Sequence, residues 1–214
     1  MPQAGTIKSD YGLESLGISH LHKAYWNLPT EALYEEIIFR NEGKLSHRGP
    51  LVVNTGRHTA RSANDKYVVR EASSEENVWW GEYNRPFSVE KFNGLLGRML
   101  GYLQGRDLFV QDCYASADPQ HRMPIRIITE LAWHSMFVRN MFITPATTEE
   151  YRRYVPDFTV LCLPSFKSIP TIDGTATNTS IIISFDQRLC LISNSAYAGE
   201  IKKSVVTILS YLLP

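Results

Sequence analysis

Residues 54–66, Asn-Thr-Gly-Arg-His-Thr-Ala-Arg-Ser-Ala-Asn-Asp-Lys, gather two arginines, a lysine, a histidine and several hydroxyls into one connection between apolar runs. That set can do anion chemistry. A planar guanidinium clasps a carboxylate through two parallel N–H bonds, and hydroxyls or loop amides take the remaining oxygens. The competing reading is a solvated polar loop, since connections are polar as a rule. A second candidate is Tyr197-Ala198-Gly199-Glu200-Ile201-Lys202-Lys203, a strand-to-helix turn that carries two lysines into the first turn of the helix. Cations there oppose the helix macrodipole at a cost of about 0.3–1 kcal/mol, and residues that break a local rule concentrate at functional sites. The same field disfavours an ammonium and brings the neutral amine within reach. Against this stands a plain alternative, with Lys202 and Lys203 in solvent and Glu200 offsetting them.

The remaining chemistry-bearing residues are scattered. His20 and His22 are neighbours, while His47, His58, His121 and His134 are dispersed, without the spacing of a zinc or metalloprotease site. His134 reads as a helix residue satisfied locally, Trp79-Trp80 as a packing anchor, and Asp112 as a strand-end carboxylate of structural or catalytic use. No GxxxxGK[ST], GxGxxG or GxSxG run occurs, so the P-loop phosphate cradle is excluded. The residues by themselves support an anion-binding α/β domain.

The elements that must position these groups follow from periodicity. Thr30 after a proline starts a helix with Leu33, Ile37 and Ile38 on one face, and Gly43 stops it. Ser88 opens a second helix with Phe92, Leu95, Leu96, Met99, Leu100 and Leu103 at helical spacing. Its Gly94 and Gly97, each costing about 1 kcal/mol in propensity, imply close packing or a weaker helix. Helix is also predicted over 132–142 and from about 198, the latter burying Ile201, Val205, Ile208, Leu209 and Leu212. Strands are predicted at 51–53, 67–69, 107–110, 125–129, 158–163, 181–185 and 189–192. Strands interleaved with helices define an α/β class, a mixed β-sheet with flanking helices.

Composition bounds the function. With 22 Lys+Arg against 22 Asp+Glu and 43% hydrophobic residues in 214, the chain is neither a basic nucleic-acid arm nor a disordered polyampholyte. No stretch approaches the ~18 apolar residues of a membrane span. The first ten residues lack the apolar core of a signal peptide. Three separated cysteines, Cys113, Cys162 and Cys190, fit reduced thiols in a cytoplasmic protein. Neither a nucleic-acid nor a membrane partner is expected.

Several stretches taken together resemble one family, the N-terminal domain of ATP-dependent phosphoenolpyruvate carboxykinase. They are Tyr25-Trp26-Asn27-Leu28, Gly43-Lys44-Leu45, Thr55-Gly56 through Arg61-Ser62 with Asp65-Lys66-Tyr67, and Leu108 through Asp112. Ala117-Asp118-Pro119, Arg126 through Glu130, Ala132-Trp133, Asn140-Met141-Phe142, Pro156-Asp157-Phe158, Tyr197 through Lys203 and Tyr211 through Pro214 continue the series. The expected division is a lead over 1–24 and a domain over 25–214, without the family's C-terminal nucleotide-binding domain.

The resemblance implies reversible conversion of oxaloacetate and ATP into phosphoenolpyruvate, ADP and carbon dioxide, a step of gluconeogenesis. It assigns Arg61 to the substrate carboxylate or carbon dioxide, Tyr197 to a place beside them, Lys203 to the catalytic metal and Lys202 to its basic neighbour. ATP and Mn²⁺ or Mg²⁺ are the implied cofactors. Neither is expected to bind this chain alone, because one amine does not hold an oxygen-loving cation. The expected partners are a small dicarboxylate or phosphoenolpyruvate-like anion and a separate nucleotide-binding chain. Two other readings are a non-catalytic binding module and a decayed structural remnant. The sequence departs from the family pattern at Ala60, at Ser193-Asn194-Ser195 and at Thr144, where Gly, Gly-Gly-Thr and Arg are usual. Loss of glycine at the first two is expected to strain or crowd the loops beside the site.

Overall fold

The structure, a computed structural model, describes residues 7–212. In chain order its first half contains β1 (Lys23–Trp26), α1 (Thr30–Phe39), β2 (Gly43–Leu45), β3 (Leu51–Val53), β4 (Lys66–Val69), β5 (Arg85–Phe87) and α2 (Val89–Leu103). The second half contains β6 (Asp107–Ala115), β7 (Met123–Thr129), α3 (Ala132–Met141), α4 (Thr148–Arg152) and β8 (Phe158–Leu163). It ends with α5 (Pro170–Asp173), β9 (Ser180–Ser184), β10 (Leu189–Ser193) and α6 (Gly199–Leu212). Eight strands form one mixed sheet in the order β1-β6-β7-β8-β10-β9-β4-β5, and β2 pairs with β3 in a separate ribbon. In the large sheet β6–β7 and β9–β10 run antiparallel, and the other neighbours are parallel. The α/β class and the mixed sheet with flanking helices are as the sequence led us to expect.

Alternation along the strands sets the layers. Leu108 and Val110 of β6, Leu189 and Leu191 of β10, and Ile182 of β9 pack with Phe92, Leu95, Met99 and Leu103 of α2. The intervening Cys190, Ile192, Ile181 and Ile183 pack on the other face with Ile201, Val205 and Ile208 of α6. On that same face Phe109 and Tyr25 meet Leu33 and Ile37 of α1 and Trp133 of α3. Strands covered on both faces are apolar nearly throughout, which is why β8, β9 and β10 were legible as short apolar runs.

Several local expectations are corrected. Thr30 is the first helical residue rather than the cap, since Pro29 occupies the cap position without a side-chain bond. Ser88 does cap α2, accepting from Lys91 N at 3.2 Å. A Cβ at Gly94 or Gly97 would meet nothing within 4 Å, so neither glycine marks close packing. β1, β2 and β5 lie in stretches too short or too polar for a strand to be read there. Trp79 is 88% exposed rather than a packing anchor. Trp80 alone packs inward, its indole N–H donating to Glu75 O at 2.9 Å. The expected lead over 1–24 runs into β1, and residues 1–6, 213 and 214 lie outside the described ones.

Asp112 also differs from expectation. It sits in the middle of β6, opposite Arg126 of β7, and both side chains are 0% exposed. Arg126 Nε donates to Asp112 Oδ1 at 2.7 Å, and Asn27 closes the other side by donating from Nδ2 and accepting from Asp112 N. Arg126 Nη1 also donates to Tyr11 O at 2.7 Å, so the pair fastens the N-terminal segment across the sheet. Burial pushes the Asp112 carboxyl upward, while Arg126 and Asn27 draw it back down. Removing one member of a buried pair strands the other charge. Asp112→Ala and Arg126→Met are therefore each expected to lower unfolding free energy by about 3–5 kcal/mol, as read by urea denaturation at neutral pH.

Candidate functional site

Sheet topology brings the two candidate segments together. β4 runs parallel to β9 with Lys66 opposite Ile181, and β10 runs antiparallel to β9 with Ser193 opposite Ser180. The start of β4 and the end of β10 therefore lie at one end of the sheet. The loop entering β4 carries Arg61; the turn leaving β10 carries Tyr197 and leads into α6 with Lys202 and Lys203. Parallel and antiparallel pairing thus makes neighbours of residues some 140 positions apart.

Two adjoining clefts result. Arg61, Tyr197, Gly199, Lys202, Lys203 and Val206 line one of about 360 Å³. Arg61 and Lys203 also line the second, of about 200 Å³, together with Lys66, Tyr83, Asn84 and Glu200. All four side chains singled out in the sequence, Arg61, Tyr197, Lys202 and Lys203, thus share one concavity.

The scaffold holding them is a hydrogen-bond lattice. Ser62 N donates to Glu200 Oε1 at 2.6 Å, joining the arginine loop to the first turn of α6. Ser62 Oγ lies 2.9 Å from His58 Nδ1, and His58 Nε2 lies 3.1 Å from Thr179 Oγ1 just before β9. Asn194 Nδ2 donates to the same Thr179 hydroxyl at 3.0 Å. Lys66 Nζ donates to Thr207 Oγ1 at 2.9 Å. Burial lowers the Lys66 pKa, with Lys203 and Arg61 adding to the effect and Cys190 and Glu200 opposing it. Burial raises the pKa of Glu200, against the pull of Ser62 N–H, Arg61, Lys66 and His58. The chemistry available is capture of a small anion by a cluster of cations whose buried carboxylate neighbour, Glu200, already accepts from Ser62 N.

The departures at the loops carry less strain than the sequence implied. Ala60 is not among the residues with positive φ; Gly56, at 67°, provides the loop's left-handed turn. At the other loop Asn194 adopts φ 53°, a conformation that asparagine tolerates better than most residues. Gly199 is required for a different reason: a Cβ there would overlap the Tyr197 ring, which lies folded over it.

His134 supports the same turn from beneath. The expectation of a local partner is wrong, because its Nε2 lies 2.9 Å from Ala196 O, 62 residues away. That carbonyl can only accept, so Nε2 carries the proton. Burial pushes the imidazole pKa down to about 4, although the carbonyl favours the cation. Sequence reading also missed Tyr83 and Asn84, which come from a connection with no motif, and treated Lys66 only as one charge of the loop. The proximity of Lys66 to Arg61 in the chain was the available signal.

The metal implied by the resemblance finds no fitting donor set among the described residues. No three His, Cys, Asp or Glu side chains converge among the described residues. Lys203 by itself offers one nitrogen to a cation that prefers several oxygens.

Fold and site together define a mixed α/β domain with a cationic cleft at one end of its sheet. A model of the family described as phosphoenolpyruvate carboxykinase matches residues 22–214. The chain is 53% identical over 203 residues to "Phosphoenolpyruvate carboxykinase (ATP)" of Geobacter metallireducens, covering 95% of this chain and 38% of that protein. Proteins with the same description from Thermus thermophilus and Methylorubrum extorquens are 47% and 44% identical. The alignments cover 94% and 100% of this chain and 39% of each relative. The chain belongs to the phosphoenolpyruvate carboxykinase family, and it spans somewhat over a third of the length of these relatives.

Two outcomes test this geometry. Gly199→Ala should displace the Tyr197 ring, seen as altered tyrosine NMR resonances, while circular dichroism remains that of the folded chain. His134 is neutral when folded down to about pH 4 and titrates near 6.5 when unfolded. The unfolded chain therefore takes up the proton first, and stability falls as pH drops from about 6.5 toward 4. Over that window the wild type should lose up to about 3 kcal/mol more than His134→Gln, which retains a donor toward Ala196 O.

Proposed function

We propose that this chain is the substrate-anion half of an ATP-dependent carboxykinase centre, built to hold a small dicarboxylate such as oxaloacetate or the product phosphoenolpyruvate. The observation that carries this reading is the convergence of Arg61, Tyr197, Lys202 and Lys203 on one cleft in a member of this family. Arg61 is exposed at the cleft, so its guanidinium can clasp a carboxylate from the solvent side. Tyr197, fixed against Gly199, offers a phenol donor to a second oxygen. Lys202 and Lys203 supply the positive field, and Lys203 is the amine that would meet a metal carried by another part of the centre.

Phosphoryl transfer needs positioned phosphates and cations, and the described residues offer no donor set for them. The chain alone therefore binds without turning over, and activity requires a nucleotide-binding portion supplied by further polypeptide or a separate chain. It acts in the cytoplasm, where its three buried free thiols stay reduced. No helix among the described residues is long and apolar enough to cross a membrane.

Calorimetry with oxalate, oxaloacetate and phosphoenolpyruvate tests the binding claim. Heat of binding is expected for at least one, with affinity reduced about tenfold or more in Arg61→Ala, as for loss of one charged hydrogen-bonding partner. Absence of binding for all three, or equal affinity in the variant, overturns it. Formation of phosphoenolpyruvate from oxaloacetate, ATP and Mn²⁺ by the isolated chain overturns the claim that it is inactive alone.

A further inference from the structure

A second basic concavity lies beside the last turn of α6. Leu212 lines it, nine residues beyond Lys203 and so roughly 13 Å farther along the helix axis at ~1.5 Å per residue. This cavity, of about 290 Å³, is also lined by His121, Arg122, Asp157 and Arg188. Three connections build it: the β6–β7 hairpin, the entry to β8 and the β9–β10 turn. None of them contributes to the Arg61 clefts.

Three independent features mark it as a site rather than a surface dimple. First, among the described residues neither Arg122 nor Arg188 forms an ion pair, although both line the same space. Second, the Arg122 guanidinium is held 5.1 Å over the Tyr114 ring, which fixes it in the cavity wall, and among the described residues its Nε has no partner. Third, Arg188 occupies left-handed backbone, φ 52°, at the end of the β9–β10 turn. Glycine or asparagine suits that position far better. A long cation at such a position breaks the local backbone preference, and residues that do so concentrate where the side chain has a use.

The lining also specifies what would fit. His121 is already engaged at Nδ1 by Asp118 at 2.7 Å, leaving Nε2 for a further partner. Two guanidiniums match the geometry of a tetrahedral oxyanion. Asp157 would repel a bare dianion, but it can accept from a hydroxyl carried on the same ligand. The volume equals about ten waters at ~30 Å³ each, room for a three-carbon skeleton bearing one phosphate.

We propose that this cavity binds a small hydroxylated phosphomonoester, its phosphate between Arg122 and Arg188 and its hydroxyl on Asp157. The site stands apart from the Arg61 clefts and does not depend on the function assigned to them. NMR titration and calorimetry of the intact chain with glycerol 3-phosphate and inorganic phosphate test it. Glycerol 3-phosphate should shift resonances of residues 120–122, 157 and 186–189 and bind more tightly than inorganic phosphate. Arg188→Asn should leave the melting temperature unchanged or higher, because asparagine suits the backbone, yet weaken binding by about tenfold or more. Arg122→Gln should weaken it similarly, and Arg61→Ala should leave it unchanged. Shifts confined to the Arg61 clefts, wild-type affinity in Arg188→Asn, or no binding at about 10 mM would overturn the proposal. Equal affinity for the two probes would overturn the role given to Asp157 and the phosphomonoester assignment with it.

Discussion

The hydrogen bond from Ser62 N to the Glu200 carboxylate, 2.6 Å long, ties the arginine loop to the first turn of α6, and the bond from Lys66 Nζ to Thr207 Oγ1 reinforces the join farther along the helix. Arg61 precedes Ser62 by one residue, and Lys202 and Lys203 follow Glu200 within one helical turn. The Ser62–Glu200 bond therefore sets how Arg61 sits relative to Lys202 and Lys203. Glu200 can act this way because it is buried at the start of α6, where the helix N-terminus favours a carboxylate. It also relieves the repulsion that three or four cations would otherwise impose on one another.

The same logic recurs at depth. Three buried polar groupings between the sheet and its surroundings have partners that determine where an exposed segment lies. Asp112, Arg126 and Asn27 lock β1, β6 and β7 and draw in the N-terminal segment through Tyr11 O. His134 reaches from α3 to Ala196 O and supports the turn that presents Tyr197. Glu71 accepts from Ser184 Oγ and from the amides of Phe185 and Asp186, which secures the β9–β10 turn next to Arg188. Loops that would be mobile on a purely apolar core are positioned by polar groups that the core must satisfy.

How the sheet orders its strands decides which loops meet. Placing β9 between β10 and β4, antiparallel to one and parallel to the other, brings the β4 entry and the β10 exit to one end. The opposite end receives the β9–β10 turn and the β6–β7 hairpin with their own arginines. Two basic concavities, separated along α6, follow from one strand order.

Much of this was readable from residue type and spacing. The apolar runs of β8, β9 and β10 and the faces of α2 and α6 follow from burial on one or two sides, which leaves a periodic trace in any chain. The cationic loop and the Tyr197–Lys203 turn were legible because their composition breaks local rules. What stayed hidden has a common cause: the partners lie far apart in sequence. Nothing near Asp112 announces Arg126, nothing near His134 announces the carbonyl of Ala196, and neither Tyr83 nor Asn84 sits in a motif. β1 and β5 were invisible because four- and three-residue strands owe their existence to neighbours supplied by the sheet. Residue chemistry by itself determined that this protein is an α/β domain with cations gathered in one loop and one helix start. Only tertiary pairing decided which of those cations face a common space, because distance in the fold is set by strand order and buried hydrogen bonds rather than by position along the chain.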